Sequence, residues 1–185
     1  EMTGHLAASG AIALDVGTVS GGRIDASEME AVAGSILTSP AGTASQRHKL
    51  ELNITNTLTI DSTSRIDVSE KGYRPGYTTG NTKDGGATGM SGGSYGGFGG
   101  SSGGSANAPY GDYADPDDWG SGSGTGYAGG SPGGGLVRIT AGAMVLDGEV
   151  LANGGSAGNG NGSGGGVYVA VANSFSGAGR IEASG

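Results

Sequence analysis

The apolar residues of this chain fall into four short clusters, in which they alternate with polar residues. The clusters span residues 11–27, 50–69, 136–154 and 167–185. Leu50, Leu52 and Ile54 show the alternation most clearly, and it continues beyond them. A period of two predicts strands with one buried face. Asn, Gly, Ser and Asp interrupt the runs and favour turns. The pattern therefore predicts an all-β chain of short strands.

The clusters also resemble one another, which indicates an internal repeat. Residues 23–27, 65–69 and 180–184 each read Arg, Ile, an acidic residue, a small apolar residue and Ser, and residues 149–153 occupy the same place in the third cluster. With Ile24, Ile66, Val150 and Ile181 taken as equivalent, coils of similar length alternate with insertions of unequal length. So few short strands cannot bury their own apolar face, but stacked coils bury it against one another.

We therefore predict one domain over residues 1–185, a parallel β-helix (solenoid) of about four coils. The insertions are expected at about 28–49, 85–135 and 155–166, and the one at 85–135 is rich in glycine. Residues 28–33 suit either one helical turn or a cap on the stack. A β-sandwich with long loops is the alternative, because it is also built from short alternating strands.

The composition is compatible with a solenoid and excludes several other classes. Glycine occupies 44 of the 185 positions, and it costs about 1 kcal/mol in a helix interior relative to alanine, which argues against a helical bundle. The chain has no Gly-X-Y period and only 5 prolines, so it is not collagen. A β-helix needs only a thin interior column of aliphatic side chains, which suits a chain with few of them.

Charge and cysteine content exclude further functions. The formal net charge is −8, and no Lys or Arg occurs between Lys83 and Arg138, so we expect no nucleic-acid binding. The chain contains no cysteine, which excludes disulfides and thiolate chemistry. No apolar run approaches the roughly 18 residues that span a bilayer, so no membrane insertion is expected.

The sequence contains no pattern that predicts catalysis. His5 and His48 are the only histidines, and neither has a nucleophile motif near it. Paired carboxylates on one face would be needed for a glycosidase. Asp25, Asp67 and Glu182 share a repeat position, and an Arg precedes each by two residues. We therefore interpret them as a structural ladder of charges on one face. No catalytic residue is predicted.

Two sets of residues in the glycine-rich insertion are candidates for binding. The first is an acidic string around Pro116 that could supply hard oxygen ligands to calcium, with a solvated turn as the alternative. Its members are Asp112, Asp115, Asp117 and Asp118. The second is an aromatic set that either covers the glycine segments or forms a platform for sugars or a neighbouring subunit. Its members are Tyr95, Phe98, Tyr110, Tyr113, Trp119 and Tyr127. Apart from calcium, no cofactor is predicted.

Several segments resemble glycine-rich β-helical repeats of large extracellular and cell-surface proteins, which are adhesin-like or matrix-like. They are GGGLVRITAGAMVLDGEVLANGG (133–155), GGGVYVAVANSFSGAGRIEASG (164–185) and the glycine-rich loops at 92–104 and 108–124. The resemblance implies an extracellular or cell-surface location and a fibre, matrix or adhesin module.

The expected function is therefore non-catalytic and structural, with end-to-end self-association through exposed β-helix edges. The expected partners are copies of the chain or adjacent coils of a longer protein. The alternative function is a carbohydrate-binding or carbohydrate-cleaving β-helix, with a surface polysaccharide as its partner.

Overall fold

The computed structural model describes residues 5–15, 17–126, 129–158 and 160–185, which contain strands and no helix. In chain order the strands are β1 (His5–Ala7), β2 (Ala11–Asp15), β3 (Thr18–Ser20), β4 (Arg23–Ala26), β5 (Glu28–Val32), β6 (Ile36–Thr38), β7 (Lys49–Ile60), β8 (Arg65–Asp67), β9 (Leu136–Leu146), β10 (Glu149–Leu151), β11 (Ser156–Ala157), β12 (Gly160–Asn161), β13 (Gly166–Ser176) and β14 (Arg180–Glu182). The prediction of an all-β fold is confirmed. No helix in these ranges is long and apolar enough to cross a membrane.

Two parallel sheets contain all but two of the strands. The first sheet contains β1, β2, β4, β5, β7, β9 and β13, and the second contains β3, β6, β8, β10 and β14. The remaining pair, β11 and β12, forms a small antiparallel hairpin. The β-sandwich alternative requires antiparallel sheets, whereas every strand pair in the two main sheets is parallel.

The chain passes through the first sheet and then the second, and it does so five times. We call each passage a layer. The layers are β1–β3, β4–β6, β7–β8, β9–β10 and β13–β14. Each layer pairs with the next in both sheets, so the strands of one layer lie directly beside those of its neighbours.

The register aligns apolar side chains in columns that cross all five layers. Column one contains Leu6, Ile24, Leu52, Ile139 and Val169. Column two contains Ile12, Met29, Leu58, Met144 and Phe175. Column three, in the second sheet, contains Val19, Leu37, Ile66, Val150 and Ile181. The members from layers two to four are buried, and those of both sheets belong to one hydrophobic core.

The layers differ from the predicted coils in number and position. There are five rather than about four, and Ile24 is not equivalent to Ile66. Ile24 lies in the first sheet beside Leu52, whereas Ile66 pairs with Leu37 in the second sheet. The Arg-Ile-acidic pattern records only alternation, which is the same in both sheets, so it could not show to which sheet a strand belongs.

The insertion predicted at 28–49 is also mostly wrong. Residues Glu28–Val32 and Ile36–Thr38 are strands β5 and β6 of the second layer, and only 39–48 leaves the sheets. Met29 and Ala31 point into the core, while Glu28 and Glu30 are exposed. Met, Ala and Glu are common in helices, and this local preference masked a strand that its parallel neighbours stabilise.

The glycine-rich segment between β8 and β9 is ordered by hydrogen bonds between backbones. Gly72 N donates to Gly133 O at 2.8 Å, Gly120 N to Gly134 O at 2.9 Å, and Gly134 N to Ser163 O at 2.9 Å. A Cβ on Gly133 would overlap the carbonyl oxygen of Gly120. Only glycine therefore permits this approach, as at the crowded axis of collagen.

Serine side chains fill the interior of this segment, together with the glycine backbones. The buried serines of the segment are Ser91, Ser94, Ser121, Ser123 and Ser131, and Ser163 from the loop before β13 joins them by donating its hydroxyl to Ser121 O at 3.4 Å. The Oγ of Ser121 lies 2.9 Å from Thr78 Oγ1, and that of Ser123 accepts a hydrogen bond from Ser131 N at 2.7 Å. Small side chains that bond locally let the extended backbones pack with few aliphatic residues.

Candidate functional site

Aromatic side chains form a cluster where the glycine-rich segment meets the layers. Tyr73 is buried and contacts Tyr110 and Trp119 edge to face, with ring centroids 6.4 Å and 6.2 Å away. Tyr95 and Tyr110 make a similar contact at 5.1 Å. Edge-to-face contacts add to the stabilisation from burial. Tyr73 lies before residue 85, where the predicted glycine-rich insertion begins, so the predicted aromatic set did not contain it. Its position shortly after the end of strand β8 was a signal that could have included it.

Asp118 connects this cluster by hydrogen bonds. Its carboxylate accepts from the Tyr73 hydroxyl at 2.6 Å, from Thr79 Oγ1 at 2.6 Å and from the Trp119 N–H at 2.8 Å. Burial, with the acceptor Asp118, raises the pKa of Tyr73 to about 12. Burial likewise raises the pKa of Tyr110.

The loop that precedes β7 holds the cluster from the other side. The Arg47 guanidinium donates to the Tyr73 hydroxyl at 3.2 Å and lies 5.0 Å from the ring centroid of Trp119. The Trp119 indole N–H donates to the carbonyl oxygen of His48 at 2.8 Å. A cation over an indole ring is attracted by the ring's quadrupole. The cluster therefore fastens the glycine-rich segment to the third layer.

Two further aspartates of the acidic string pair with basic residues on the first sheet. Arg138 on β9 lies 2.6 Å from Asp115 and donates to the carbonyl oxygen of Pro116 at 2.7 Å. Asp117 lies 3.9 Å from both Arg138 and Lys49. Burial opposes the charge of Arg138, but the hydrogen bond and charge of Asp115 outweigh it, and its pKa is raised.

The acidic string is thus distributed among protein partners rather than gathered around one point. Asp112 accepts a hydrogen bond from the N–H of Ala114 at 2.8 Å, within its own turn. In the part of the chain that the structure describes, no group of three or more His, Asp or Glu side chains is placed to hold a metal ion. Calcium binding by Asp112, Asp115, Asp117 and Asp118 stays a prediction.

The predicted aromatic set divides into two groups. Tyr95, Tyr110 and Trp119 face the cluster described above, whereas Phe98 is 82% exposed and Tyr113 is fully exposed. Tyr127 lies outside the described residues. The exposed members lie beside two clefts. One of about 780 Å³ is lined by Tyr95, Phe98 and glycines of 160–165, and one of about 450 Å³ by Tyr110 and Tyr113.

The predicted charge ladder is divided between the two sheets. In the second sheet Arg65 pairs with Asp67 at 3.3 Å, and Arg180 pairs with Glu149 at 2.8 Å and with Glu182 at 3.0 Å. Asp25 belongs to the first sheet instead. There it pairs with Arg23 at 2.8 Å and accepts a hydrogen bond from Asn53 at 2.9 Å. The hydrogen bond to Asp25 raises the pKa of Arg23. A single acidic ladder containing Asp25, Asp67 and Glu182 is therefore wrong, because the three residues do not share a sheet.

Both ends of the layered stack have strand edges without a neighbouring strand in the described ranges. At one end β13 and β14 pair only with β9 and β10, and at the other β1, β2 and β3 pair only with β4, β5 and β6. Phe175 and Ile181 are 53% and 43% exposed, although their column neighbours Met144 and Val150 are fully buried. With Leu146 they line a shallow cleft of about 300 Å³.

No family model, curated protein or solved structure matches this chain. Its function is therefore inferred from its own residues and their geometry.

Proposed function

We propose that the chain is a non-catalytic structural module of an extracellular fibre, matrix or adhesin. In this proposal it folds as a parallel β-helix and self-associates end to end through the strand edges of its first and fifth layers. One observation carries the proposal: the apolar columns that are buried in layers two to four are partly exposed at both ends.

The β-helix is supported by the order in which the chain visits the sheets. The chain passes through both sheets in every layer, and each strand pairs with its counterpart in the next layer. Aliphatic side chains of both sheets contribute to one core, for example Leu52 from the first and Ile66 from the second. Such a stack buries each layer against its neighbours, so an end layer lacks half of its packing.

End-to-end association is supported by the chemistry of the edges. An unpaired strand presents a row of N–H and C=O groups that accept another strand. Proteins that resist such pairing place charge, proline or a bulge on the edge. Residues Val167–Val171 of β13 contain no charged residue and no proline, although a register shift follows Val171 and β14 carries Arg180 and Glu182. The extracellular or cell-surface location rests on the resemblance of residues 133–155 and 164–185 to surface-protein repeats.

The alternative function, carbohydrate binding or cleavage, is favoured by a different observation. The cleft of about 780 Å³ opens beside the exposed ring of Phe98, and the second cleft opens beside that of Tyr113. Exposed aromatic rings are suited to stacking on sugar rings. Its test is glycan binding by wild type, by Phe98→Ser and by Tyr113→Ala, where loss of binding in both variants would support it.

Sedimentation velocity over a wide concentration range tests the proposed self-association. We expect the mass to rise with concentration, and we expect Phe175→Ser combined with Ile181→Ser to weaken association at least about tenfold. Each of these side chains would otherwise bury apolar surface worth about 1–3 kcal/mol in the contact. Glu30→Ser is the control, because Glu30 is exposed but lies on β5 of the second layer, which is paired on both sides. A wild-type chain that is monomeric at every concentration would contradict the proposal.

A further inference from the structure

We infer that the partner at each edge is the opposite end of a second copy. In this arrangement β13 and β14 of one copy pair in parallel with β1, β2 and β3 of the next, and the apolar columns continue across the joint. The inference rests on the proposed self-association and specifies which surfaces meet and in which register.

The columns fix the register of the contact. Continuing each one by a layer places Val169 beside Leu6 of the next copy. The same step places Phe175 beside Ile12 and Ile181 beside Val19.

The apolar side chains of the first and fifth layers are both incompletely buried, and one contact between opposite ends would bury both sets. Leu6, Ile12 and Val19 are only partly buried. Their neighbours one layer inward, Ile24, Met29 and Leu37, are almost completely buried. A joint between opposite ends would give both terminal layers the packing that the inner layers have.

Contact between two identical ends fits less well. Two copies of one edge related by a two-fold axis would pair antiparallel, because the axis reverses the strand direction. The fifth layer combines a strand of 11 residues in the first sheet with one of 3 in the second. A two-fold contact of this kind would replace the parallel pairing that joins the layers in both sheets, and it would not continue the apolar columns.

The polar faces of the two ends are also compatible in this register. Arg180 and Glu182 of β14 would lie beside Thr18 and Ser20 of the next copy, so no like charges meet in the second sheet. In the first sheet Ala170 would lie beside Ala7, on the side of the strand that faces away from the core. The joint therefore buries no unpaired charge at these positions in either sheet.

Because the two contacting surfaces differ, the contact leaves a free end on each copy. A head-to-tail contact of this kind repeats without closing when its rotation does not form a ring. The expected product is a filament in which every copy adds five layers.

Single cysteines test the register directly, since the natural chain has none. Column continuity matches Ala170→Cys with Ala7→Cys, and Ser176→Cys with Ala13→Cys. Adjacent parallel strands hold matched Cα atoms about 4.8 Å apart, within the range that a disulfide spans. In the exchanged mixtures Ala170→Cys is combined with Ala13→Cys, and Ser176→Cys with Ala7→Cys. The two cysteines then lie about six residues apart along the strand, or about 20 Å.

The single-cysteine proteins are mixed in equal amounts, oxidised mildly and examined on non-reducing gels. One protein of each mixture carries a size tag. We expect the two matched mixtures to form at least about tenfold more mixed dimer than the two exchanged mixtures. Two independent matched pairs guard against one variant that folds poorly, and circular dichroism verifies the fold of each.

The outcomes separate the register from the self-association. Equal cross-linking in matched and exchanged mixtures would overturn the head-to-tail register, as would dominant cross-linking of Ala170→Cys with itself. Both results leave end-to-end association itself intact. A wild-type chain that sediments as a monomer would overturn the proposed function and this inference together.

Discussion

At the scale of single residues, glycine has two distinct roles in this chain. At Gly34 a backbone with φ of 81° ends a strand, as turn glycines do. At Gly133, Gly134 and Gly162 the absence of a side chain lets one backbone lie against another. A count of glycines cannot separate these roles, because the second depends on which segments are neighbours in space.

Alanine substitutions at a closely packed glycine and at an open glycine test the contribution of close backbone packing to stability. We expect Gly133→Ala to lower the free energy of unfolding by about 1–3 kcal/mol, since its Cβ would overlap the carbonyl oxygen of Gly120. Gly97→Ala is the control, because a Cβ at that position would have no atom within 4 Å, and its effect should stay within about 0.5 kcal/mol. Urea denaturation measures both, and equal effects would argue against close backbone packing.

Asp61 provides a test that depends on pH. Hydrogen bonds from Ser64, from the N–H of Ala33 and from Thr63 lower its pKa from 3.8 to about 2. A lowered pKa in the folded state means that its stabilisation is complete above pH 3.8 and is lost as the pH falls through about 2. In urea denaturation, wild type should exceed Asp61→Asn in stability at about pH 6, and the difference should narrow towards about pH 2. A difference independent of pH would contradict the assignment.

At the scale of elements, alternation located most of the strands, but the pairing between them needed the structure. The runs around Leu52, Ile66 and Val150 were predicted as strands and are strands. The sheet to which each belongs was not predictable, since period two is common to both sheets. Strand β5 was missed because Met29 and Ala31 carry no β-branched signal, and its identity depends on neighbouring strands.

The contacts within the aromatic cluster were likewise only partly predictable from the sequence. The sequence identified Tyr110 and Trp119 as docking candidates, and the structure places both rings against Tyr73, with Trp119 also bonded to His48 just before β7. It did not identify Tyr73 or Arg47, because both lie outside the glycine-rich insertion and meet it only after folding. The exposed positions of Phe98 and Tyr113 were equally unpredictable from composition.

Removing one hydroxyl tests how firmly the glycine-rich segment is held. We expect Tyr73→Phe to lower the free energy of unfolding by about 1–3 kcal/mol, because the Asp118 carboxylate loses a charge-assisted donor. Hydrogen exchange should accelerate mainly between residues 110 and 125. Tyr113→Phe is the matched control, since that ring is fully exposed and no change is expected. Uniform acceleration over the whole chain would count against a local docking role.

Substitutions in column two compare the contribution to stability of an inner layer with that of an end layer. We expect Met144→Ala to cost about 2–5 kcal/mol of stability, since Met144 is fully buried in the core. Phe175→Ala, one layer outward, should cost much less in the dilute monomer because half of that side chain is already exposed. Thermal unfolding at low concentration measures both. A larger loss for Phe175→Ala would contradict the proposed order of layers.

At the scale of the whole molecule, the fold combines two ways of ordering a chain with few aliphatic residues. Five layers share one thin apolar core, and the glycine-rich segment is ordered by backbone hydrogen bonds and buried serines. Among the described residues Phe175 and Ile181 are the outermost members of their columns, and they are 53% and 43% exposed. Assembly through the ends would extend the core without any new kind of contact.

The most direct test of this account is the axial rise per subunit in the assembled protein, measured by electron cryomicroscopy of its filaments. Each of the five layers should contribute about 4.8 Å, so we predict a rise of about 24 Å per copy and an unbroken series of parallel strands. A different rise, or strands that reverse direction at the joint, would contradict the continuous stack.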